Sequence, residues 1–163
     1  MAAQILVVDD NEVVRGRISE TLKAHEGWEV CAEVENGEQA LAKAKELNPD
    51  LIILDLAMPV MDGLRATREI TRILPSVPIV IYTMHYAEWL ELEAKKAGAR
   101  GLVSKSDVTK LINVAEDLLR KKSPVDSAPA ISASTEAHAA ESRAVPEQLP
   151  PDSQNTRPLF KPD

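Results

Sequence analysis

Five polar residues of this 163-residue chain each stand at the end of a short apolar run. Asp9 and Asp10 follow Ile5-Leu6-Val7-Val8, and Asp55 follows Leu51-Ile52-Ile53-Leu54. Thr83 follows Ile79-Val80-Ile81-Tyr82, and Lys105 comes after Leu102-Val103. Brought to one rim, three carboxylates repel each other, and each is costly as an unpaired charge. A hard divalent cation resolves the conflict. Mg²⁺ suits such a site because it takes oxygen ligands, keeps several waters and sits between carboxylates and phosphates. Lys105 adds a second positive charge and Thr83 a hydroxyl. These are the needs of phosphoryl transfer: a carboxylate nucleophile that can form an aspartyl-phosphate, and groups that neutralise the charge on the phosphoryl oxygens. Asp55 is the best placed nucleophile, because its strand is central if the strand order is 2-1-3-4-5. Asp9 and Asp10 are better placed as metal ligands, directly or through water.

The elements that must position these residues alternate along the chain. Each apolar run reads as a strand covered on both faces. Between the runs lie amphipathic segments. Val14, Ile18 and Leu22 mark a helix over Asn11 to His25, and Leu41, Ala44 and Leu47 a second one. Gly63 to Leu74 forms a third, with Leu64, Thr67, Ile70 and Leu74 inward, and His85 to Ala97 a fourth, with Gly98 as its C-cap. Ser106 is expected to cap a fifth, which carries Val108, Leu111, Ile112 and Ala115. Val30 to Val34 supplies the remaining strand. Strict alternation of strands and helices predicts an α/β fold, a doubly wound parallel sheet with helices on both faces. In such sheets the site lies outside the carboxyl ends of the strands, where all five polar residues fall.

Composition changes near Lys122. Residues 123–163 are rich in Pro, Ser and Ala with few large apolar side chains, and are expected to be a disordered tail behind a folded domain over 1–122. The net charge of -7 argues against binding nucleic acid or an anionic membrane. Cys31 is the single cysteine, so no internal disulfide is expected. The N-terminal stretch lacks the basic region of a signal peptide, and no apolar run is long enough to span a bilayer. The expectation is a cytoplasmic protein.

The segments LVVDDN, LIILDLAMPVMDG, IVIYT and GLVSKS resemble the receiver domain of two-component response regulators, over roughly residues 4 to 122. The resemblance implies the flavodoxin-like (βα)5 form of the fold and assigns roles. Asp10 binds Mg²⁺ directly, Asp9 helps through water, and the backbone carbonyl of Ala57 is a further ligand. Asp55 is the phosphoacceptor, Thr83 the switch hydroxyl and Lys105 the phosphate-pairing lysine. It also implies a sensor histidine kinase or phosphotransfer protein as donor. The output is a downstream protein target bound through the face of the fourth helix, fifth strand and fifth helix. Such a domain catalyses its own phosphorylation and dephosphorylation and is not a conventional turnover enzyme. Two positions depart from the pattern. Leu102 stands where many receivers carry an aromatic side chain, so a Tyr or Phe rotamer swing is not the readout. Ser106 follows Lys105 where many have proline. The KS form after GLV is similar to receivers joined to helix-turn-helix output domains, although no helix-turn-helix pattern follows here.

Competing readings are a receiver-like adaptor that is never phosphorylated and a phosphatase with its nucleophile on the first strand. The latter leaves Asp55 unexplained. A dinucleotide fold is excluded by the lack of a glycine-rich turn after the first strand. His25, His85 and His138 lack metal-ligand spacing. His85, two residues after Thr83, is either a solvent-facing helix-start residue or, with Ala57, a modulator of phosphoryl lifetime as in receivers. Cys31 reads as a small buried hydrophobe. Tyr86, Trp89 and Leu90 are either core or partner surface, and Arg65, Arg68 and Arg72 a solvated face.

Overall fold

Continuous apolar runs become strands here because each strand faces two helical layers at once. The computed structural model describes residues 1–122, and the segment 123–163 expected to form the tail lies outside the described residues. Strands β1 (Ala3–Val8), β2 (Trp28–Val34), β3 (Leu51–Leu54), β4 (Ile79–Thr83) and β5 (Gly101–Ser104) alternate with helices α1 (Glu12–Lys23), α2 (Gly37–Leu47), α3 (Gly63–Ile73), α4 (Glu88–Ala97) and α5 (Val108–Lys122). All strand pairs are parallel, as the alternation predicts, and they run in the order β2-β1-β3-β4-β5, the order that makes the strand of Asp55 central.

Side chains one apart along each inner strand feed opposite layers. Ile5, Val7, Ile53 and Tyr82 pack with Ile18 and Leu22 of α1 and Leu111 and Ala115 of α5. Leu6, Val8, Ile52 and Leu54 pack with Ala40 and Ala44 of α2 and Ala66 and Ile70 of α3. Ile81 and Leu102 meet Leu90 and Ala94 of α4. Burying one such Ile or Leu is worth about 1.5–3 kcal/mol, so these layers fix the strand register and with it the strand ends.

Side-chain caps mark most helix starts. Asn11 accepts from Val13 and Val14 N–H, Asn36 from Gln39 N–H, and Asp62 from Arg65 N–H. Gly98 ends α4 at φ 111°. A Cβ there would also lie 2.4 Å from Thr71 Oγ1.

Several boundaries differ from expectation. Helix α4 begins at Glu88, not His85: Ala87 before it is extended, at φ -154° and ψ 147°, and the His85 N–H donates to Thr83 Oγ1 at 3.1 Å. The cap of α5 is Asp107, not Ser106: Asp107 Oδ1 accepts from Lys110 N–H at 2.9 Å, while the Ser106 hydroxyl pairs with Ser104 Oγ. β2 starts at Trp28, and α3 buries Gly63, Ala66, Thr67 and Ile70 while Leu64 and Leu74 are only half-buried. Cys31 is half-buried, and Tyr86 and Trp89 are exposed while Leu90 is core. Arg65, Arg68 and Arg72 are exposed as expected. The Lys105–Ser106 peptide is trans.

Candidate functional site

Strand pairing delivers the carboxylates. Val8 of β1 is in register with Leu54 of β3, so the next residues, Asp9 and Asp55, leave the sheet side by side. The ladder continues one step past both strands. Asp9 N–H donates to Val34 C=O at 3.0 Å, and Asp55 N–H donates to Val8 C=O at 2.9 Å. Both carboxylates therefore start from rigid backbone. Asp10 is exposed beside them. Asp9, Asp10 and Asp55 each place a carboxylate oxygen within 4.8 Å of the others.

Lys105 comes to the same point from β5. Its Nζ lies 2.6 Å from Asp9 Oδ2 and 3.3 Å from Asp55 Oδ2, with all three side chains at most 8% exposed. The second oxygens are held by backbone. Asp9 Oδ1 accepts from Asn11 N–H at 2.9 Å, and Asp55 Oδ1 from Leu56 N–H at 2.8 Å. The Lys105–Asp9 contact is close but off line: Asp9 Oδ2 is buried and no donor meets it in hydrogen-bonding geometry. A buried, ionisable oxygen without a directed partner is expensive.

The electrostatics match this geometry. Burial pushes the Asp55 carboxyl above its ordinary range; Lys105 pulls it down, and the neighbouring Asp9 pushes it up again. Burial would lower the Lys105 ammonium, but the contact with Asp9 and the charge of Asp55 outweigh it and hold the group above its usual value. One lysine thus serves two buried carboxylates, with a third at the rim. The donor set is all oxygen and its three carboxylates face one ammonium, so it fits a hard dication.

The loop after Asp55 is held by close approach. Gly63 N–H donates to Leu56 C=O at 2.8 Å. A Cβ on Gly63 would lie 2.2 Å from the Asp55 carbonyl oxygen, and one on Gly37 would lie 2.6 Å from the Met61 carbonyl oxygen. Gly63 is therefore required by contact with Asp55 and not by a left-handed φ. Within this loop Val60 has φ 69°, a costly conformation for a β-branched residue. Ala57 is exposed on the same loop, two residues after Asp55. Thr83 is fully buried at the end of β4, and its Oγ1 accepts from His85 N–H.

Two contacts escaped the sequence reading. Arg15 Nη1 donates to the Asp9 carbonyl at 2.6 Å. The Tyr82 hydroxyl donates to the Lys105 carbonyl at 3.1 Å. Nothing in the local pattern marks Arg15, which simply follows Asn11 by one turn. Tyr82 did carry a signal, as the one hydroxyl inside an otherwise apolar run.

The comparisons agree with this geometry. A family model described as the response regulator receiver domain matches residues 5–116. The chemotaxis protein CheY of Halobacterium salinarum is 40% identical over 105 residues, covering 64% of this chain and 86% of that protein. A protein-glutamate methylesterase/protein-glutamine glutaminase of Photobacterium profundum is 38% identical over 126 residues, covering 75% of this chain but 32% of that protein. The chain thus spans less than half the length of several curated relatives that it matches. Among solved structures, a LuxR-family two-component response regulator from Aurantimonas sp. SI85-9A1 superposes with a TM-score of 0.71 at 33% identity, covering 78% of this chain and 94% of the other.

Proposed function

The chain belongs to the response regulator receiver domain family, and from that membership we propose that it works as a phosphoacceptor switch of two-component signalling, with Asp55 as the acceptor. The observation that carries the proposal is the convergence of Asp9, Asp10, Asp55 and Lys105 at the ends of β1, β3 and β5.

The donor is a phosphohistidine on a sensor kinase or phosphotransfer protein. An Asp55 oxygen forms the new P–O bond as the P–N bond breaks, and the released imidazole nitrogen takes up a proton. Asp55 Oδ1 is held by Leu56 N–H, which leaves Oδ2, the oxygen facing Lys105, as the attacking atom. Lys105 favours the ionised form of this buried carboxylate against the effect of burial and then pairs with a phosphoryl oxygen. The Thr83 hydroxyl donates to another, giving up its bond from His85 N–H. Asp9, Asp10, Asp55 and the Ala57 carbonyl would hold Mg²⁺. When bound, it neutralises charge shared between the carboxylates and the phosphoryl oxygens.

Readout follows from the same elements. Thr83 and His85 lead into α4, so moving the Thr83 hydroxyl releases the segment before that helix. Met84, Tyr86, Trp89 and Leu92 are exposed there, and Val108 is exposed at the start of α5. This face of α4, β5 and α5 would bind the downstream protein, phosphate biasing a pre-existing equilibrium through its differential contacts. Among the described residues no helix is long and apolar enough to cross a membrane.

Incubation with an acyl phosphate and Mg²⁺ tests the proposal. One phosphoryl group should be gained on Asp55, labile to alkali and absent from Asp55→Asn. An unmodified wild-type protein under conditions that phosphorylate a known receiver would sink it.

A further inference from the structure

The turn that carries Lys105 is held from β4 by two backbone restraints. Lys105 N–H donates to Thr83 C=O at 2.8 Å, and the Tyr82 hydroxyl donates to Lys105 C=O at 3.1 Å. Tyr82 and Thr83 are the last two residues of β4, in register with Val103 and Ser104 of β5. Lys105 is therefore gripped on both sides of its Cα by one neighbouring strand.

The Tyr82 ring lies in the layer covered by α1 and α5, packed among residues such as Ile18, Val103 and Leu111, and is 4% exposed. A phenylalanine would fill that layer as well. The hydroxyl adds a buried polar group that must find a partner. Its partner is the carbonyl of the residue whose ammonium reaches Asp9 and Asp55. The next residue, Ser106, has no ring to fix its φ, so the turn lacks that restraint. The turn itself is closed by Asp107 N–H donating to Ser104 C=O at 2.9 Å, and its own side-chain bonds, Ser104 Oγ to Ser106 Oγ at 2.8 Å and Ser106 N–H to Ser104 Oγ at 3.2 Å, are exposed and compete with water. Of the side-chain bonds to this turn, that of Tyr82 is the part-buried one.

We propose that Tyr82 is a positioning residue for phosphoryl transfer, its hydroxyl fixing the Lys105 backbone so that the ammonium stays between Asp9 and Asp55. This rests on the phosphoacceptor reading given above. Tyr82 touches no reacting atom and acts through Lys105 alone.

The test is Tyr82→Phe in the full chain, phosphorylated by an acyl phosphate with saturating Mg²⁺. Loss of one hydrogen bond that holds a charge-stabilising group predicts a saturated rate about three- to tenfold lower, with the half-saturating donor concentration unchanged. Adding Tyr82→Phe to Lys105→Ala should cause no further loss. An unchanged rate, or the same proportional loss with and without Lys105, overturns the inference. A second measurement does not depend on phosphorylation. The Lys105 Nζ resonance of the Mg²⁺-free protein should shift toward that of an exposed lysine in Tyr82→Phe, and an unmoved resonance overturns the assignment. A wild-type chain that takes no phosphoryl group defeats the underlying reading, and the resonance still decides the role of Tyr82.

Discussion

Lys105 Nζ lies 2.6 Å from Asp9 Oδ2, and neither side chain is more than 8% exposed. The lysine is thus bound to a carboxylate other than the proposed nucleophile, at a closer distance than the 3.3 Å to Asp55. It occupies the region that a cation would neutralise. An incoming phosphoryl group offers it a further anionic partner beside Asp55. The resting site is therefore a charge compromise that ligands can improve.

Replacing Lys105 with methionine separates its two effects. The site loses a positive charge aimed at the phosphoryl oxygens, so phosphorylation from a small donor should slow by about 100-fold. The same change leaves Asp9 and Asp55 buried without their countercharge. Stability at neutral pH should fall by about 3 kcal/mol when no divalent cation is present. Mg²⁺ affinity should rise severalfold, since a competing charge is gone. Denaturant unfolding and titration calorimetry check both, and unchanged Mg²⁺ affinity would contradict the shared site.

Mg²⁺ should stabilise the folded chain. At a hundredfold excess over its dissociation constant the gain is about 2.7 kcal/mol, and thermal unfolding reads it directly. Asp10→Asn should abolish most of that gain while leaving the cation-free protein at least as stable as before, because Asp10 is exposed and its removal relieves repulsion with Asp9 and Asp55. An equal shift in wild type and variant would place the cation elsewhere.

The strand ends were legible in the sequence because buried parallel strands write themselves as continuous apolar runs. A polar residue directly after one, as with Asp55 after Leu51 to Leu54, is then marked by contrast. The start of α4 was not legible. Its apolar period runs back past Glu88, but the backbone at Ala87 is extended and Thr83 and His85 form a local turn before the helix. Ser106 and Asp107 are both capping residue types, and the pairing of Ser106 with Ser104 decided between them. Arg15 reaches back six residues to the Asp9 carbonyl, and Tyr82, marked in sequence only as a hydroxyl in an apolar run, reaches the carbonyl of Lys105, whose partner the sequence does not name.

Glycines give a paired stability test. Gly63→Ala places a Cβ 2.2 Å from the Asp55 carbonyl oxygen and 2.8 Å from Leu56 Cα, both backbone atoms that cannot step aside cheaply. It should destabilise the fold by about 2 kcal/mol or more and displace the loop that follows Asp55. Gly16 lies within α1, where a Cβ meets nothing within 4 Å. Gly16→Ala should stabilise by up to about 1 kcal/mol through helix propensity alone. Denaturant midpoints of the two variants should move in opposite directions, and movement in the same direction would refute the backbone-contact account of Gly63.

Asp55→Asn should remove phosphorylation and stabilise the cation-free fold, and pH separates this gain from other causes. Burial and Asp9 raise the folded-state pKa of Asp55 above its unfolded value. The folded state therefore binds the Asp55 proton more tightly than the unfolded chain does. That contribution is fully present below the unfolded pKa and is lost as pH rises through the folded one. Asparagine has no proton to lose, and its oxygen can still accept from Leu56 N–H. The stability difference between Asp55→Asn and wild type should thus be smallest in acid, below the ordinary carboxylate range. It should grow as Asp55 ionises and level off once the carboxyl of the folded state is fully ionised. Mg²⁺ should reverse the order at neutral pH, because it binds the ionised carboxylate and not the amide. Chemical unfolding of both proteins across acid to neutral pH, with and without Mg²⁺, measures this. A difference independent of pH would show that the Asp55 charge is not what the fold opposes.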